Sequence, residues 1–441
     1  MERRDSIADY EPRKTTEIGA RKIDQILHFY KVCLLKVGTG GGKTYMTIHA
    51  VGRISKKANI LVITTASQKK ANEFQKSIKS YSDYYHCQFD SLITNYDQLT
   101  SKNHKYDAYN WVKNKPNGSV VMILDEAHKA KNPTSKTTKM LMKINRLPAT
   151  ARTIFATATP ITNSLLDSMT YLIMAGFYKN KTQFINQHVR FKDKFHQPIV
   201  RRKDGKIDLN LLENPEIIIR RLSEITVTID TEKLLPKRYN YEKQFSFNKT
   251  VQKAYRQIRK NWKLGMYDSI SEALAEQRHF VAAHSEHRLD YLKKIIDNPR
   301  RPQTPILIFY QYNDELAALI NFLKKHEPDY QIRLINGESK PVNPSAKPKS
   351  NKTLVLAQYQ AAGEGLNTPW SQLTIFFTPA QSGEKYQQAR GRNRRAMQKG
   401  DVYQFRLVVN KTINEHYWHD LIDNKQRFSK EMQKRMMEYD D

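Results

Sequence analysis

Val32-Cys33-Leu34-Leu35-Lys36-Val37-Gly38-Thr39-Gly40-Gly41-Gly42-Lys43-Thr44 is the stretch that decides how this chain folds. Its first six residues read as a short buried strand. Five glycine-rich positions follow, and Tyr45–Arg53 then has a helical pattern. Strand, glycine loop and helix in that order form the context of a phosphate loop. Glycines let successive backbone N–H groups turn inward around phosphate oxygens. The helix that follows points its positive end at them. Gly38, Thr39, Gly40, Gly41 and Gly42 are therefore expected to cradle a nucleotide. Lys43 is expected to reach the β/γ-phosphates, and the Thr44 hydroxyl to ligate Mg²⁺. Val37 stands where the strict pattern has Gly or Ala.

A second apolar run, Ser119–Leu124, ends in Asp125-Glu126-Ala127-His128. Open α/β sheets bind ligands at the carboxyl ends of their strands. Asp125 is expected to hold Mg²⁺, and Glu126 to orient and deprotonate the attacking water. His128 is a candidate for coupling this site to the rest of the molecule. A strand ending in solvated acids would look the same in isolation. The phosphate loop upstream gives the acidic pair its meaning.

The bulk numbers bound the partner. Across 441 residues, 74 Lys and Arg oppose 44 Asp and Glu, a formal net charge of +30. An excess of that size favours a polyanion, and nucleic acid is the commonest one. No apolar run approaches the roughly 18 residues that span a bilayer. The two cysteines, Cys33 and Cys87, have no metal-ligand spacing and suit a reducing, intracellular and cytoplasmic setting.

The motifs together resemble superfamily 2 helicases of the Swi/Snf-like, DEAH-box branch, in its compact bacterial or viral form. Asp125–Lys139, running through Lys131-Asn132-Pro133, is similar to that family's second motif. Thr157–Asp167 is similar to its third, with Ala158 in place of the usual glycine. Ile93–Leu99 resembles the family's Thr-x-Tyr-Asp segment, and Ile60–Gln68 its Ia motif. Ile219-Arg220-Arg221 with Leu235-Pro236-Lys237 resembles the stretch after the family's helical protrusion. Ile306–Tyr312 resembles motif IV. Ala361–Asn367 resembles motif V, with Glu364 at a usually small position. Gln387–Arg395 matches motif VI, and Thr412–Glu415 resembles the closing helix start. By spacing, the adenine-reading glutamine of the family falls at Glu17. A carboxylate there accepts from the adenine amine but cannot donate.

The resemblance implies an α/β fold: two RecA-like doubly wound parallel-sheet lobes with a helical basic protrusion inserted between them. Periodicity agrees, with strands near 32–37, 60–64, 91–94, 120–124 and 153–157, and again near 306–310, 331–335, 353–357, 374–377 and 402–409. Residues 1–161 form the expected first lobe, 162–285 the helical protrusion and linker, and 286–441 the second lobe. Ala273–His287 reads as helix. Pro341–Pro348 reads as a Pro-rich surface loop.

ATP with Mg²⁺ is the implied cofactor, and DNA the implied partner, duplex or forked, with replication or recombination proteins alongside. Gln388, Arg392 and Arg395 are expected to act on the γ-phosphate, the arginines as fingers three residues apart on one helical face. A basic nucleic-acid patch is the competing reading of Arg390–Arg395. Gly365 is assigned to the nucleotide. Thr64, Thr65, Asn95, Tyr96, Gln311, Gly337 and Gln358 are assigned to the nucleic-acid backbone. Tyr178–Lys206 holds nine basic and two acidic residues with Phe184, Phe191 and Phe195 interleaved. It reads equally as a nucleic-acid grip or as a solvated face with its aromatics buried. The basic segment Lys425–Arg435 carries the same two readings. The expected activity is ATP-driven movement along DNA in replication, recombination or repair. An RNA helicase and a nucleic-acid scaffold with an inactive ATPase are the rivals.

Overall fold

Strand pairing is parallel throughout two separate six-stranded sheets. The computed structural model describes residues 13–38, 40–161, 164–190, 212–231, 235–339, 344–362, 366–395, 398 and 400–423. Two compact units are present, Met1–Lys233 and Leu234–Asp441.

The first unit's strands are β1 (Val32–Val37), β2 (Lys57–Thr64), β3 (Gln88–Asn95), β4 (Val120–Asp125), β5 (Thr150–Thr157) and β6 (Thr226–Ile229), in the order β3-β2-β4-β5-β1-β6. Its helices are α1 (Lys14–Phe29), α2 (Lys43–Ile54), α3 (Ala66–Lys70), α4 (Glu73–Tyr85), α5 (Asp107–Lys113), α6 (Lys136–Asn145), α7 (Met169–Met174), α8 (Lys181–His188) and α9 (Pro215–Glu224). Parallel sheets are covered on both faces, so their strands read as unbroken apolar runs. Here Leu34, Leu61, Met122, Leu124 and Phe155 enter one core cluster. Cys33, Leu35, Ile60, Val62, Ile123 and Ile154 enter the cluster on the other face.

The second unit repeats the plan with β7 (Arg238–Phe245), β8 (Ile306–Tyr310), β9 (Gln331–Ile335), β10 (Thr353–Gln358), β11 (Leu373–Phe376) and β12 (Val402–Val409), ordered β7-β12-β11-β8-β10-β9. Its helices are α10 (Lys249–Lys263), α11 (Ile270–Ala283), α12 (Glu286–Ile296), α13 (Asn313–His326), α14 (Tyr359–Ala362), α15 (Gly383–Arg390) and α16 (Ile413–His416). Ile306, Ile308, Leu354 and Leu356 face one cluster, while Leu307, Phe309, Val355 and Ala357 face the other.

The segment 162–285, expected as helical protrusion and linker, is not helix alone. Two strands lie inside it. β6 pairs with β1 from Leu34↔Thr226 to Val37↔Ile229, so the β-branched run Thr226–Ile229 closes an edge that β1 would otherwise leave open. β7 pairs with β12 over its full length. The segment therefore divides between the two units at Lys233/Leu234. Pro236 and Lys237 already belong to the second: Arg394 Nε donates to the Pro236 carbonyl at 2.8 Å, and the Lys237 N–H donates to Asp401 Oδ1 at 3.1 Å. Phe184 is fully buried against Tyr178 and His188, so it is core. Phe191 and Phe195, the segment Lys425–Arg435 and the first three residues of the Pro-rich loop lie outside the described residues. Among the described residues no helix is long and apolar enough to cross a membrane.

Candidate nucleotide site and nucleic-acid edge

Every described residue assigned to chemistry in the first unit lies at or just beyond the carboxyl end of a strand, apart from Glu17. The phosphate loop follows β1 and enters α2. Gly40 and Gly42 have φ of 83° and 86°, left-handed values that favour glycine, and Gly42 caps α2. Gly41 meets a different demand. A Cβ there would lie 2.5 Å from Val37 Cγ1 and 2.6 Å from Thr231 Oγ1. Thr231 comes from just beyond β6 and floors the loop. It was not anticipated, because nothing local in the sequence links it to a loop so far upstream. Thr39 lies outside the described residues.

β4 delivers the acidic pair. Glu126 sits at φ 48°, ψ 51°, a left-handed conformation that costs a non-glycine residue of order 1–3 kcal/mol. That turn separates the two carboxylates. Asp125 stays buried at 2% exposure. Glu126 approaches Lys43, Nζ to Oε1 3.8 Å, and His128, Nδ1 to Oε2 3.5 Å. The His128 Nδ1 is also 3.2 Å from Thr157 Oγ1 at the end of β5. The ends of β1, β4 and β5 are thus joined through polar side chains.

Burial pushes the Asp125 carboxyl up to about 7, and the neighbouring Glu126 adds to the rise. Lys43 and the Thr64 hydroxyl oppose it. Thr64 Oγ1 lies 3.1 Å from Asp125 Oδ2, and the Tyr96 hydroxyl donates to the Asp125 carbonyl at 2.7 Å. Among the described residues no three His, Cys, Asp or Glu side chains gather as a metal site. A hydroxyl and one carboxylate are nevertheless the usual protein share of a Mg²⁺ site, because substrate phosphates and water complete its shell. Excess negative charge at Asp125 and Glu126 fits such an ion.

Glu17 is exposed in the first turn of α1. This helix packs on α2 so closely that a Cβ on Gly19 would lie 2.8 Å from Met46 Sδ.

The residues assigned to nucleic acid divide by burial. Thr64 pairs in register with Asn95 across β2 and β3, yet Thr64, Thr65 and Tyr96 are buried. Thr65 caps α3 by accepting the Gln68 N–H at 3.3 Å. Tyr96 turns its ring inward, so its side chain presents no free edge. Asn95 is half-buried, and its Oδ1 accepts the Gln98 N–H at 2.9 Å. Gln98 is a second unanticipated residue. Its Oε1 accepts from Lys69 Nζ at 2.7 Å and Thr94 Oγ1 at 3.0 Å, tying α3 to the end of β3.

In the second unit Gln311 follows β8 and Gln358 is the last residue of the adjacent β10, and Gln358 Nε2 donates to the Gln311 carbonyl at 3.2 Å. Gly337 is exposed just after β9. Gln388 is in the last turn of α15, but that helix ends at Arg390 with Gly391 as its cap. Arg392 and Arg395 therefore do not share a helical face. The motif's short polar residues and glycine end the helix before either arginine. Arg392 is buried at 7% exposure, and its Nη1 donates to the Leu366 carbonyl at 3.2 Å. Arg395 is half-buried. Glu364 and Gly365 lie outside the described residues.

Two family models match the chain. A model of the SNF2-related domain matches residues 33–300. A model of the helicase conserved C-terminal domain matches residues 287–397. An uncharacterized ATP-dependent helicase of Mycoplasma pneumoniae is 24% identical over 323 residues, 67% of this chain and 29% of that protein. A chromatin structure-remodeling complex subunit of Schizosaccharomyces pombe is 22% identical over 376 residues, 75% of this chain and 30% of that protein. A probable ATP-dependent DNA helicase of Arabidopsis thaliana is 23% identical over 369 residues, 74% and 31% of the two chains. The matched stretches thus make up under a third of these relatives' own length.

Proposed function

This chain belongs to the SNF2-related domain family, and from that premise we propose that it hydrolyses ATP to move along DNA, in replication, recombination or repair. One observation carries the reading. Lys43 of the phosphate loop stands 3.8 Å from Glu126, so the residue that would hold the phosphates and the residue that would activate water already face each other.

Each side chain then has a task. Lys43 and the loop N–H groups bind the phosphates. Glu126 takes the proton of the attacking water, and His128, 3.5 Å from its Oε2, orients it. Thr44 and Asp125 would hold Mg²⁺, whose chemistry would be neutralisation of phosphate charge. Gln388, Arg392 and Arg395 are proposed to act on the transferring phosphoryl group, a contribution worth 10³–10⁵ in rate for arginine fingers generally. Glu17 is proposed to accept the adenine amine. Thr65, Asn95, Gln311, Gly337 and Gln358 are proposed to line the path of the strand, with Thr64 and Tyr96 supporting it from below.

The test is ATP hydrolysis with no nucleic acid, single-stranded DNA, duplex DNA and RNA. Duplex DNA is expected to stimulate most, and triplex displacement is expected without fork unwinding. Stimulation by RNA alone would transfer the reading to an RNA helicase. No hydrolysis under any condition would leave only a scaffold. Glu126→Gln is expected to bind ATP and lose turnover by about 10²–10⁴-fold. Wild-type turnover in that variant removes Glu126 from catalysis.

A further inference from the structure

α10, Lys249–Lys263, reads Lys-Thr-Val-Gln-Lys-Ala-Tyr-Arg-Gln-Ile-Arg-Lys-Asn-Trp-Lys and contains six basic residues and no acid. Lys249, Lys253, Arg256, Lys260 and Lys263 recur at spacings of four, three, four and three. At 100° per residue they fall within an arc of about 80°. Tyr255 and Ile258, on the opposite side, are buried against Ala273, Leu274 and Val281 of α11 and against Val409, Ile413 and Tyr417. The hairpin of α10 and α11 therefore has its apolar face already occupied. Its cationic face is turned to solvent, with Lys249, Lys253, Lys260 and Lys263 exposed.

These four lysines have no ion-pair partner among the described residues. The acids nearest in sequence are Glu242 on β7, which pairs with Arg406, Asp268 in the turn before α11, and Glu272 and Glu276 on α11. Glu272 accepts the Asp268 N–H at 2.9 Å, and Glu276 is hydrogen-bonded to Tyr267. Lining up like charges along one helix costs self-repulsion of a few tenths of a kcal/mol per neighbouring pair. A counter-charge of matching length would relieve it. Lys249 to Lys263 spans about 21 Å at 1.5 Å per residue, a length over which a nucleic-acid backbone offers a regular row of phosphates.

We propose that the cationic face of α10 is a nucleic-acid backbone contact, separate from the strand-end residues assigned above. It rests on the reading of the chain as a nucleic-acid motor. The contact reads charge alone, since lysines on a helix face reach phosphates without sequence information. An anionic membrane surface is the other polyanion of this kind. It would need an apolar helix face to enter the lipid, and that face of α10 is buried in the protein. Only Leu264 and Met266, at the turn after α10, are exposed apolar side chains here.

The test uses the full chain and a short DNA duplex. The slope of log binding constant against log salt is measured for wild type, for the variant K249Q/K253Q/K260Q/K263Q, and for a control with K324Q/K325Q on α13. Each lost phosphate contact lowers the slope by about 0.9. The α10 variant is expected to lose about 3 to 4 from the slope, the control under 1, with ATP hydrolysis in the absence of nucleic acid unchanged in both. That basal activity also reports that the variants are folded. A duplex bound with an unchanged slope by the α10 variant overturns this proposal and leaves the motor reading intact. A wild-type chain that binds no duplex overturns both. Vesicles of phosphatidylserine form the third arm: binding that depends on the four lysines, with the duplex slope unaffected, would move the face to membranes.

Discussion

Arg288 and Glu315 form an ion pair, Nη1 to Oε1 3.9 Å, with side chains 1% and 0% exposed. The other carboxylate oxygen of Glu315 accepts the N–H groups of Gln311 and Tyr312, at 2.9 and 3.1 Å, and the Thr378 hydroxyl at 3.0 Å. Arg288 donates to the carbonyls of Val281 and Phe377. The pair therefore fastens the ends of β8 and β11 to α11 and α12. Burial pushes the Glu315 carboxyl up and the Arg288 guanidinium down to about 10, which is the cost of desolvation. Glu315→Gln keeps an acceptor for the two N–H groups but strands the arginine. Loss of one partner of a buried pair costs about 3–5 kcal/mol. Faster hydrogen exchange at Gln311, Tyr312 and α12 is expected, with R288M/E315Q recovering part of the protection. Exchange unchanged in Glu315→Gln would mean that the pair carries no load.

Gly41→Ala tests the floor of the phosphate loop. The added methyl would meet Val37 and Thr231 at 2.5 and 2.6 Å, so the loop must open. Nucleotide affinity is expected to fall at least tenfold by fluorescent-analogue titration. The triple variant V37A/G41A/T231A, which removes both obstructing groups, is expected to regain most of it. A Gly41→Ala chain of wild-type affinity would show that the loop's inward turn is not what holds the phosphates.

The two-sheet plan was legible because the central strands, such as Val120–Asp125 and Ile306–Tyr310, are buried along their length and nearly all apolar, and ten of the twelve strands were expected from the sequence. β6 and β7 were not. Thr226–Ile229 is only four residues long, and Arg238–Phe245 is an exposed edge whose polar residues hide its alternation. Lys43, Asp125 and Glu126 stood out as candidates because each lies in a run of adjacent motif residues. Thr231, Gln98 and the Arg288–Glu315 pair did not, since each acts through contacts between segments that only the folded chain brings together. A signal for Glu315 did exist: a Glu three residues after Tyr312, at the start of an apolar helix, is where a side chain folds back on the preceding N–H groups.

His49 gives the first unit an acid-sensitive element. It lies on α2 with its ring 4.6 Å from that of Tyr81 and 5.6 Å from that of Tyr85. Burial pushes its imidazole down to about 4 from 6.5. Between those values the unfolded chain takes up a proton that the folded chain refuses. The stabilisation is thus complete above pH 6.5 and is lost as pH falls towards 4, with a slope of at most one proton, about 1.4 kcal/mol per pH unit. His49→Phe retains the aromatic contacts and cannot titrate. Its thermal unfolding is expected to depend less steeply on pH across that window, and parallel curves for the two proteins would refute the assignment.

Tyr96 decides between two roles. Its position in a segment like those that touch nucleic acid predicts a surface contact, whereas its buried hydroxyl donates to the Asp125 carbonyl at 2.7 Å. A lost donor to a buried carbonyl costs about 1–3 kcal/mol, and here the carbonyl belongs to the residue that positions the acidic pair. Tyr96→Phe is therefore expected to lower ATP turnover both with and without DNA by the same factor, because the loosened strand end serves the nucleotide in either state. Duplex affinity should stay within twofold of wild type, since the ring never reached the surface. The reverse outcome, intact basal turnover with weakened duplex binding, would mean that this side chain turns outward when the motor works.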